Sequence, residues 1–417
     1  MKRWTIVLIL GFLFLPCFVA AEAQDTPVAD APRGYEPSQA KRDAAEQALV
    51  AVEEIFAQVS QISGLEIKQP VRSAVVNREQ IRVYIQERLK QTSTPEQLHA
   101  QEVALEKFGL LPKGFRLGDF VLDLLSEQAT AYYDPRRKEF FLADWAPLDL
   151  QKPAIAHELM HALQDQHFGL DRFLLQDGMS QDEQTARAAV VEGQGVMVMM
   201  DYMLAARGEK AEDYPNLSEY VSKATLAETS KFPVFGAAPA YLRESLLFPY
   251  TMGLGYVRSV LVKMGKKGYA EMLRNPPRST REILHPGTSP GPTVDLSAPA
   301  VPKNAREGFR KLDSNVLGEL DLFVLFKQFL GEEEARSLAP AWRGLKYDVY
   351  EHPDGGVLVA HRSVWKDAAA ARAFADAYHR LVALRDGKDE SRSEVRGEVV
   401  DFIEGARWPE SSTKDTK

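Results

Sequence analysis

Apolar residues recur at three- and four-residue spacing through much of this chain, which is the pattern of helices that bury one face. The first predicted helix ends at Gly64, because glycine readily terminates helices. Its apolar positions are Ala45, Leu49, Val52, Phe56 and Val59. Further helices are predicted to begin after Asn77 and Thr94; the second has proline at its first helical position, and Thr94 and Gln97 form a capping-box pattern. The stretches 117–128 and 186–270 are also expected to be mainly helical.

Two segments have a different pattern, in which aromatic and β-branched residues cluster in short runs typical of strands. In the first of them, residues 129–133 and 139–142 flank a turn that begins with Asp134 and Pro135. This arrangement predicts a β-hairpin. A helix that starts near Pro153 is expected to follow it directly.

The second β-prone segment lies in the last fifth of the chain. Two alternating runs, 346–351 and 357–365, flank a Pro-Asp-Gly-Gly sequence that begins at Pro353 and favours a tight hairpin turn. A helix at 367–384 and a strand at 398–403 complete the predicted unit.

These elements predict an α+β fold that is mainly helical, with a small β-hairpin or sheet and a small C-terminal α+β unit. The chain has 417 residues, which is enough for two or three domains. We expect a signal peptide at 1–23, a flexible lead-in at 24–36, a main domain with an N-terminal helical region at 37–285, a Pro/Gly-rich loop at 286–303, a helical connection at 304–339, a small α+β domain at 340–407 and a disordered tail at 408–417.

The N-terminal residues have the three parts of an export signal, namely a basic start, an apolar run from Trp4 to Leu15 and small residues up to Ala23. The single cysteine, Cys17, lies inside this segment, so the processed chain would contain no thiol and depend on core burial for its stability. The later apolar runs carry charged residues, and we expect no membrane span after cleavage. The predicted location is periplasmic or extracellular, as a soluble protein.

The charge balance argues against one class of partner. The chain has 51 basic and 59 acidic side chains, a net charge of −8, which gives no electrostatic footprint for nucleic acid. We therefore expect no nucleic-acid partner.

The run His157-Glu158-Leu159-Met160-His161 carries the candidate chemistry. Residues four apart lie on one face of a helix, close enough for both imidazoles to reach one ion, and imidazole is a preferred zinc ligand. Glu158 is turned toward the neighbouring groove, where it can hydrogen-bond a metal-bound water. The flanking residues are apolar, and burial of two histidines and a glutamate among them is unfavourable without a partner such as a metal. We therefore predict one zinc ion per chain.

The third metal ligand has competing candidates. His167 has the spacing of a third histidine in a longer zinc motif, but Gln164 stands where that motif has a glycine that ends the helix. If the helix continues, His167 lies about 15 Å along the axis from His157. The alternative is Glu192, an isolated carboxylate in an apolar helical stretch, with Glu183 as a weaker substitute in a more polar segment.

Longer strings around these residues resemble known metallopeptidases. They are Glu127-Gln128-Ala129, Tyr133-Asp134-Pro135, HELMHALQDQHF from His157, VVEGQG around Glu192 and PPRSTREILHP at 276–286. Together they resemble the gluzincin branch of the zincin metallopeptidases, and an exported bacterial family of metallopeptidases without an assigned substrate. The resemblance covers about 120–290, with a weaker similarity in the C-terminal unit. It implies a zincin-like metallopeptidase domain, zinc on His157, His161 and Glu192, and Glu158 as catalytic base.

One departure from the gluzincin pattern concerns the residues that orient the ligands. Many gluzincins have an acidic residue shortly after the glutamate ligand, whereas this chain has Gln194 and Val196 there. The orienting contact must then come from elsewhere or from the Gln194 carbonyl.

The function expected from these residues is hydrolysis of peptide bonds in a peptide or protein substrate, with Glu158 as general base for a zinc-activated water. Tyr250, Tyr256 and His285 are the candidate donors to the oxyanion. The hairpin at 129–142 is expected to pair with extended substrate. Two alternatives remain, a zinc amidohydrolase acting on cell-envelope material and a non-catalytic exported binding or assembly module with a vestigial zinc site.

Overall fold

The computed structural model describes residues 39–128, 131–145, 148–288, 296–385 and 391–405. The predicted signal peptide, lead-in and C-terminal tail lie outside these residues, as does the first part of the hairpin run at 129–130. In the described part of the chain, no helix has the length and apolarity that a membrane span requires.

The N-terminal region is built from helices and a short strand. Its elements are α1 (Gln39–Ser63), β1 (Arg72–Val76), α2 (Arg78–Thr92), α3 (Pro95–Phe108) and α4 (Leu117–Gln128). The predicted end of α1 is confirmed, because Gly64 follows its last residue with a positive φ of 73°. Asn77 and Thr94 are the N-caps of α2 and α3, and each forms the reciprocal hydrogen bonds of a capping box.

The predicted hairpin at 129–142 is present, as strands β2 (Ala131–Asp134) and β3 (Glu139–Ala143), which pair antiparallel. Strand β1 pairs parallel with β3 on its other side, so the order is β1-β3-β2 and β2 lies at an edge. Strand β1 was not predicted from the sequence, and it joins a sheet whose other strands lie more than fifty residues later.

A layer of helices follows the hairpin and forms the centre of the molecule. These are α5 (Leu148–Phe168), α6 (Leu170–Leu174), α7 (Gln181–Leu204), α8 (Leu217–Thr229), α9 (Pro233–Gly236), α10 (Ala240–Met264), α11 (Lys267–Arg274) and α12 (Thr280–Leu284). Helix α5 begins before the predicted start, so Pro153 lies inside it. Helices α5 and α10 both pack against α7, which is buried along most of its length.

The C-terminal unit is α+β, as predicted. It contains β4 (Arg310–Val316), α13 (Glu319–Leu330), α14 (Glu332–Leu338), β5 (Trp342–Glu351), β6 (Val357–Trp365), α15 (Ala368–Arg385), β7 (Ser391–Arg396) and β8 (Val399–Glu404). The strands form an antiparallel sheet in the order β4-β5-β6-β8-β7. The segment 304–339, predicted to be a helical connection, therefore also supplies an edge strand of this sheet.

A contiguous hydrophobic core links the helical layer to the C-terminal unit. Beside this core, a polar junction joins the first turn of α7 to α12 and α13. Asp182 Oδ1 accepts hydrogen bonds from the backbone N–H and the hydroxyl of Thr280, at 3.0 Å and 2.6 Å. Gly318, just before α13, lies so close that a Cβ there would be 1.8 Å from Asp182 Oδ1. The N-terminal end of α7 is thus held by hydrogen bonds to α12 and packs against the start of α13.

Candidate metal centre

Two neighbouring helices, α5 and α7, bring the predicted metal ligands together. The Nε2 atom of His157 lies 3.1 Å from Oε2 of Glu192, and Nε2 of His161 lies 3.5 Å from the same oxygen. All three side chains are buried, with exposed fractions of 0–1%. The structure therefore unites residues 157, 161 and 192 in one cluster, although the last is more than thirty residues away in sequence.

The spacing of these atoms fits a metal ion. With bonds of about 2.0–2.1 Å, two ligand atoms of a tetrahedral zinc ion are separated by about 3.3 Å. The separations of 3.1 Å and 3.5 Å from Glu192 Oε2 lie on either side of that value. Ligand atoms of His157, Glu158 and His161 also lie within 4.8 Å of one another. This buried group could therefore hold a metal ion.

Glu158 is oriented by the hairpin rather than by the helices. Its Oε2 accepts a hydrogen bond of 3.0 Å from the backbone N–H of Tyr133 on the edge strand β2. Its side chain is buried, at 2% exposed. The Tyr133 hydroxyl in turn donates to Asp165 Oδ2 at 3.0 Å, which ties β2 to α5. The carboxylate beside His157 is thereby held at the edge of the small sheet.

Glycines on α7 explain why the helices can approach so closely. A Cβ at Gly193 would lie 2.4 Å from the backbone of Gly253 on α10, so neither residue can carry a side chain without moving the helices apart. A Cβ at Gly195 would lie 2.6–2.8 Å from three ring atoms of His157. The two glycines that flank Gln194 thus have separate roles, one in helix packing and one in making room for a ligand ring.

Tyr250 is the one of the predicted donors that lies beside the cluster. It is on α10, and its ring is stacked on that of His157 with centroids 6.1 Å apart. Burial, followed by the charges of Glu192 and Glu158, raises the pKa of Tyr250 well above its usual value. Its hydroxyl therefore keeps its proton and can serve only as a donor toward an anion.

Burial and neighbouring charges shift the pKa values of the cluster residues in different directions. Burial lowers the pKa of His157 to about 4 and raises the pKa of Glu158 to about 8. Burial opposes protonation of His161 too, but the carboxylates of Glu192 and Glu158 outweigh it and raise the pKa of His161 to about 9. For Glu192, attraction to the two histidines outweighs burial and lowers the pKa. A metal ion would therefore have to displace a proton from His161, because only a deprotonated nitrogen can bind an ion.

His285, predicted as a catalytic donor, is not in this cluster. Its Nε2 lies 2.6 Å from Oε1 of Glu319, at the junction with the C-terminal unit. The short helix before it is anchored through Thr280 to Asp182, which lies about 15 Å along α7 from Glu192. The polar contacts of α12 thus direct the His285 ring to α13 rather than to the ligand cluster.

His167 and Tyr256 also lie apart from the ligand cluster. Helix α5 continues through Gln164, and the Nε2 atom of His167 lies 2.8 Å from the carbonyl oxygen of Glu66. Tyr256 lines a separate surface cavity of about 280 Å³ together with Glu282. The expectation that His167 would be out of reach agrees with the unbroken helix.

Three contacts at the site were not predicted from the sequence. They are the Tyr133 backbone N–H on Glu158, the space that Gly195 leaves for His157, and a hydrogen bond of 2.8 Å between His161 Nδ1 and Gln164 Oε1. Only the last had a usable signal, since Gln164 follows His161 by three residues and so lies on the same helix face.

The comparisons with known proteins concern the C-terminal unit. A family described as "Domain of unknown function (DUF8575)" matches residues 307–409, which include β4 through β8. No curated protein and no solved structure matches the chain. The candidate metal centre, at residues 157–192, lies outside the matched part.

Proposed function

We propose that this chain is an exported zinc-dependent metallopeptidase whose ion is held by His157, His161 and Glu192. The observation that carries the proposal is the convergence of two imidazole Nε2 atoms on Oε2 of Glu192, at 3.1 Å and 3.5 Å. Two nitrogens and a carboxylate oxygen are a ligand set of catalytic zinc sites, which keep a fourth position open. Export is proposed from the N-terminal sequence alone.

Glu158 is the proposed general base. A zinc ion bound by these ligands would supply a Lewis acid, a water of lowered pKa and a positive charge that favours the ionised form of Glu158. The Glu158 carboxylate is fixed by the Tyr133 N–H at Oε2, which leaves Oε1 to accept a proton. The same carboxyl then returns that proton to the leaving amine.

Tyr250 is the proposed donor to the oxyanion that develops on the scissile carbonyl. It lies beside His157, and its hydroxyl stays protonated because burial raises its pKa well above the usual value. A donor that is held in place before the reaction stabilises developing charge without a cost for reorientation.

The edge strand β2 is the proposed place for the peptide. The Tyr133 N–H points away from β3 toward Glu158, so by the two-residue period of a strand the backbone of Ala131 points to the same side. Extended peptides bind such edges through backbone hydrogen bonds. The side chains of the cluster are buried, so some of the residues that cover them have to move before a peptide can reach them.

The test of the mechanism is the Glu158→Gln variant, compared with wild type for zinc content and for hydrolysis of fluorescently labelled, denatured casein. We expect one zinc per chain in both proteins and at least a hundredfold lower hydrolysis in the variant, because an amide cannot accept the proton. Glu183→Gln is the matched control, since Glu183 is on α7 but pairs with Arg187. Equal hydrolysis by wild type and Glu158→Gln would refute the peptidase mechanism.

The ligand set has its own test in zinc binding. Glu192→Ala should lose the metal, and His167→Ala should keep it, since His167 contacts a backbone carbonyl of another segment. The reverse result would move the site to a three-histidine type. Zinc binding with Glu158-dependent hydrolysis of peptidoglycan but not of casein would instead support the amidohydrolase alternative.

A further inference from the structure

A continuous run of side-chain amides connects the metal cluster to two backbone carbonyls. Gln164 Oε1 lies 2.8 Å from Nδ1 of His161, and Gln164 Nε2 lies 3.1 Å from the carbonyl oxygen of Val191 and 2.9 Å from Oε1 of Gln194. Gln194 Nε2 lies 3.0 Å from the carbonyl oxygen of Tyr269. Both glutamine side chains are 0% exposed, so water does not compete for these groups.

The backbone ends of this run decide the orientation of both amides. A carbonyl oxygen only accepts hydrogen bonds, so Gln194 must direct its NH₂ group to Tyr269 and its oxygen to Gln164. Gln164 must then donate both N–H groups, one to Val191 and one to Gln194. Its own oxygen is left to face His161, which must donate from Nδ1. The orientation thus follows from the acceptors alone, without reference to any metal.

A hydrogen on Nδ1 of His161 has a direct consequence for the other ring nitrogen. In a neutral imidazole with Nδ1 protonated, Nε2 carries the lone pair, and Nε2 is the atom that faces Glu192 at 3.5 Å. His157 is held differently. Its Nδ1 has no hydrogen-bond partner among the described residues, and its ring is confined by Gly195 and Tyr250.

We propose that Gln164, itself held by Gln194, is the positioning residue of the metal centre, which selects the neutral His161 tautomer with its hydrogen on Nδ1 and so aims the Nε2 lone pair at the ion. The inference deepens the proposed function, because it rests on zinc binding at His161. It assigns a role to the glutamine in each of the strings HELMHALQDQHF and VVEGQG. Gln164 also takes the place of the acidic residue that many gluzincins have after the glutamate ligand and that this chain lacks. An amide here orients the ring without adding a further buried negative charge.

The test measures zinc affinity by competition with a chelator, and the visible spectrum of the Co²⁺-substituted protein, in Gln164→Met. Loss of an orienting contact typically lowers metal affinity by about 10–100-fold, and we expect that loss together with a changed cobalt spectrum. Gln151→Met is the matched control, because Gln151 is a buried glutamine on the same helix whose amide donates to the carbonyl of Ala143. It should leave affinity and spectrum unchanged.

Two further variants keep the inference falsifiable. Gln164→Glu retains an acceptor for Nδ1 and should bind zinc at least tenfold more tightly than Gln164→Met. Gln194→Met removes the support of Gln164 and should show a smaller loss, which also serves as the test if Gln164→Met does not fold. Wild-type affinity in the folded Gln164→Met or Gln194→Met protein would overturn the inference while leaving the zinc site intact. Absence of zinc binding by wild type would instead refute the proposed function.

Discussion

Replacement of Gly195 by alanine should abolish metal binding without unfolding the protein. The added methyl group would lie 2.6 Å from Cε1 and 2.7 Å from Nε2 of the His157 ring. Carbon atoms in ordinary contact are about 3.5 Å apart, so the ring has to retreat by about 0.9 Å. Metal sites tolerate deviations of about 0.2 Å in bond length. The displaced ring would therefore not reach an ion held by the other ligands.

The effect of this substitution on stability should be small in comparison. Alanine favours a helix over glycine by about 1 kcal/mol, whereas an extra methyl group in a packed interior costs about 1–3 kcal/mol. The net loss is then at most about 2 kcal/mol, which a folded domain normally survives. The control is Gly255→Ala on α10, which should bind zinc as wild type does, since its new Cβ would lie 3.3 Å from the Ser218 hydroxyl and would not touch the cluster.

The assay is thermal unfolding with and without zinc, together with chelator competition. Zinc at a hundred times its dissociation constant stabilises a binding protein by about 2.7 kcal/mol, so the melting temperature of wild type and of Gly255→Ala should rise. That of Gly195→Ala should not change. Wild-type zinc affinity in Gly195→Ala would show that the ring has room to spare, and our account of how His157 is positioned would be wrong.

Two predictions concern parts of the protein outside the metal centre. His361 is fully buried against Phe402, and burial lowers its pKa to about 3 from an ordinary value of 6.5, so the unfolded chain takes up the extra proton as the pH falls. The stability that depends on neutral His361 is therefore present above pH 6.5 and is lost as the pH falls below that value. In urea unfolding, the free energy of unfolding of wild type should fall by about 2 kcal/mol more than that of His361→Phe between pH 7 and pH 5. Equal decreases in the two proteins would contradict this. Asp182→Ala should lower stability by about 2–3 kcal/mol, because it leaves the buried N–H of Thr280 without an acceptor, whereas Asp182→Asn should cost less than about 1 kcal/mol. Equal unfolding midpoints for the two variants would show that this hydrogen bond is not what holds α7 to α12.

Local signals in the sequence were sufficient for several elements. The caps at Asn77 and Thr94, the helix 117–128 and the strand 357–365 agree with the structure, because each depends on residues within a few positions of one another. The pairing of His157 with His161 is local in the same sense, since one turn of a helix determines it.

The strands that the sequence analysis missed share a physical cause. β1, β4 and β7 are all edge strands of their sheets. Neither β4 nor β7 contains a buried residue, so both are polar and lack the alternation of apolar residues by which a strand is recognised. Only the neighbouring strand supplies the hydrogen bonds that make such a segment extended.

The candidate metal centre likewise combines features that local sequence determines with features that only packing determines. The sequence alone placed the two histidines and the adjacent glutamate on one helix. It also argued against His167 as a third ligand, because Gln164 does not end that helix. It left the third ligand open, and only the packing of α5 against α7 brings Glu192 to the same point. The packing also decided which tyrosine stands beside the cluster, and it supplied the contacts with Val191 and Gln194 that orient the Gln164 amide. These contacts join residues that are distant in sequence, and their geometry depends on how closely the glycines allow the helices to approach.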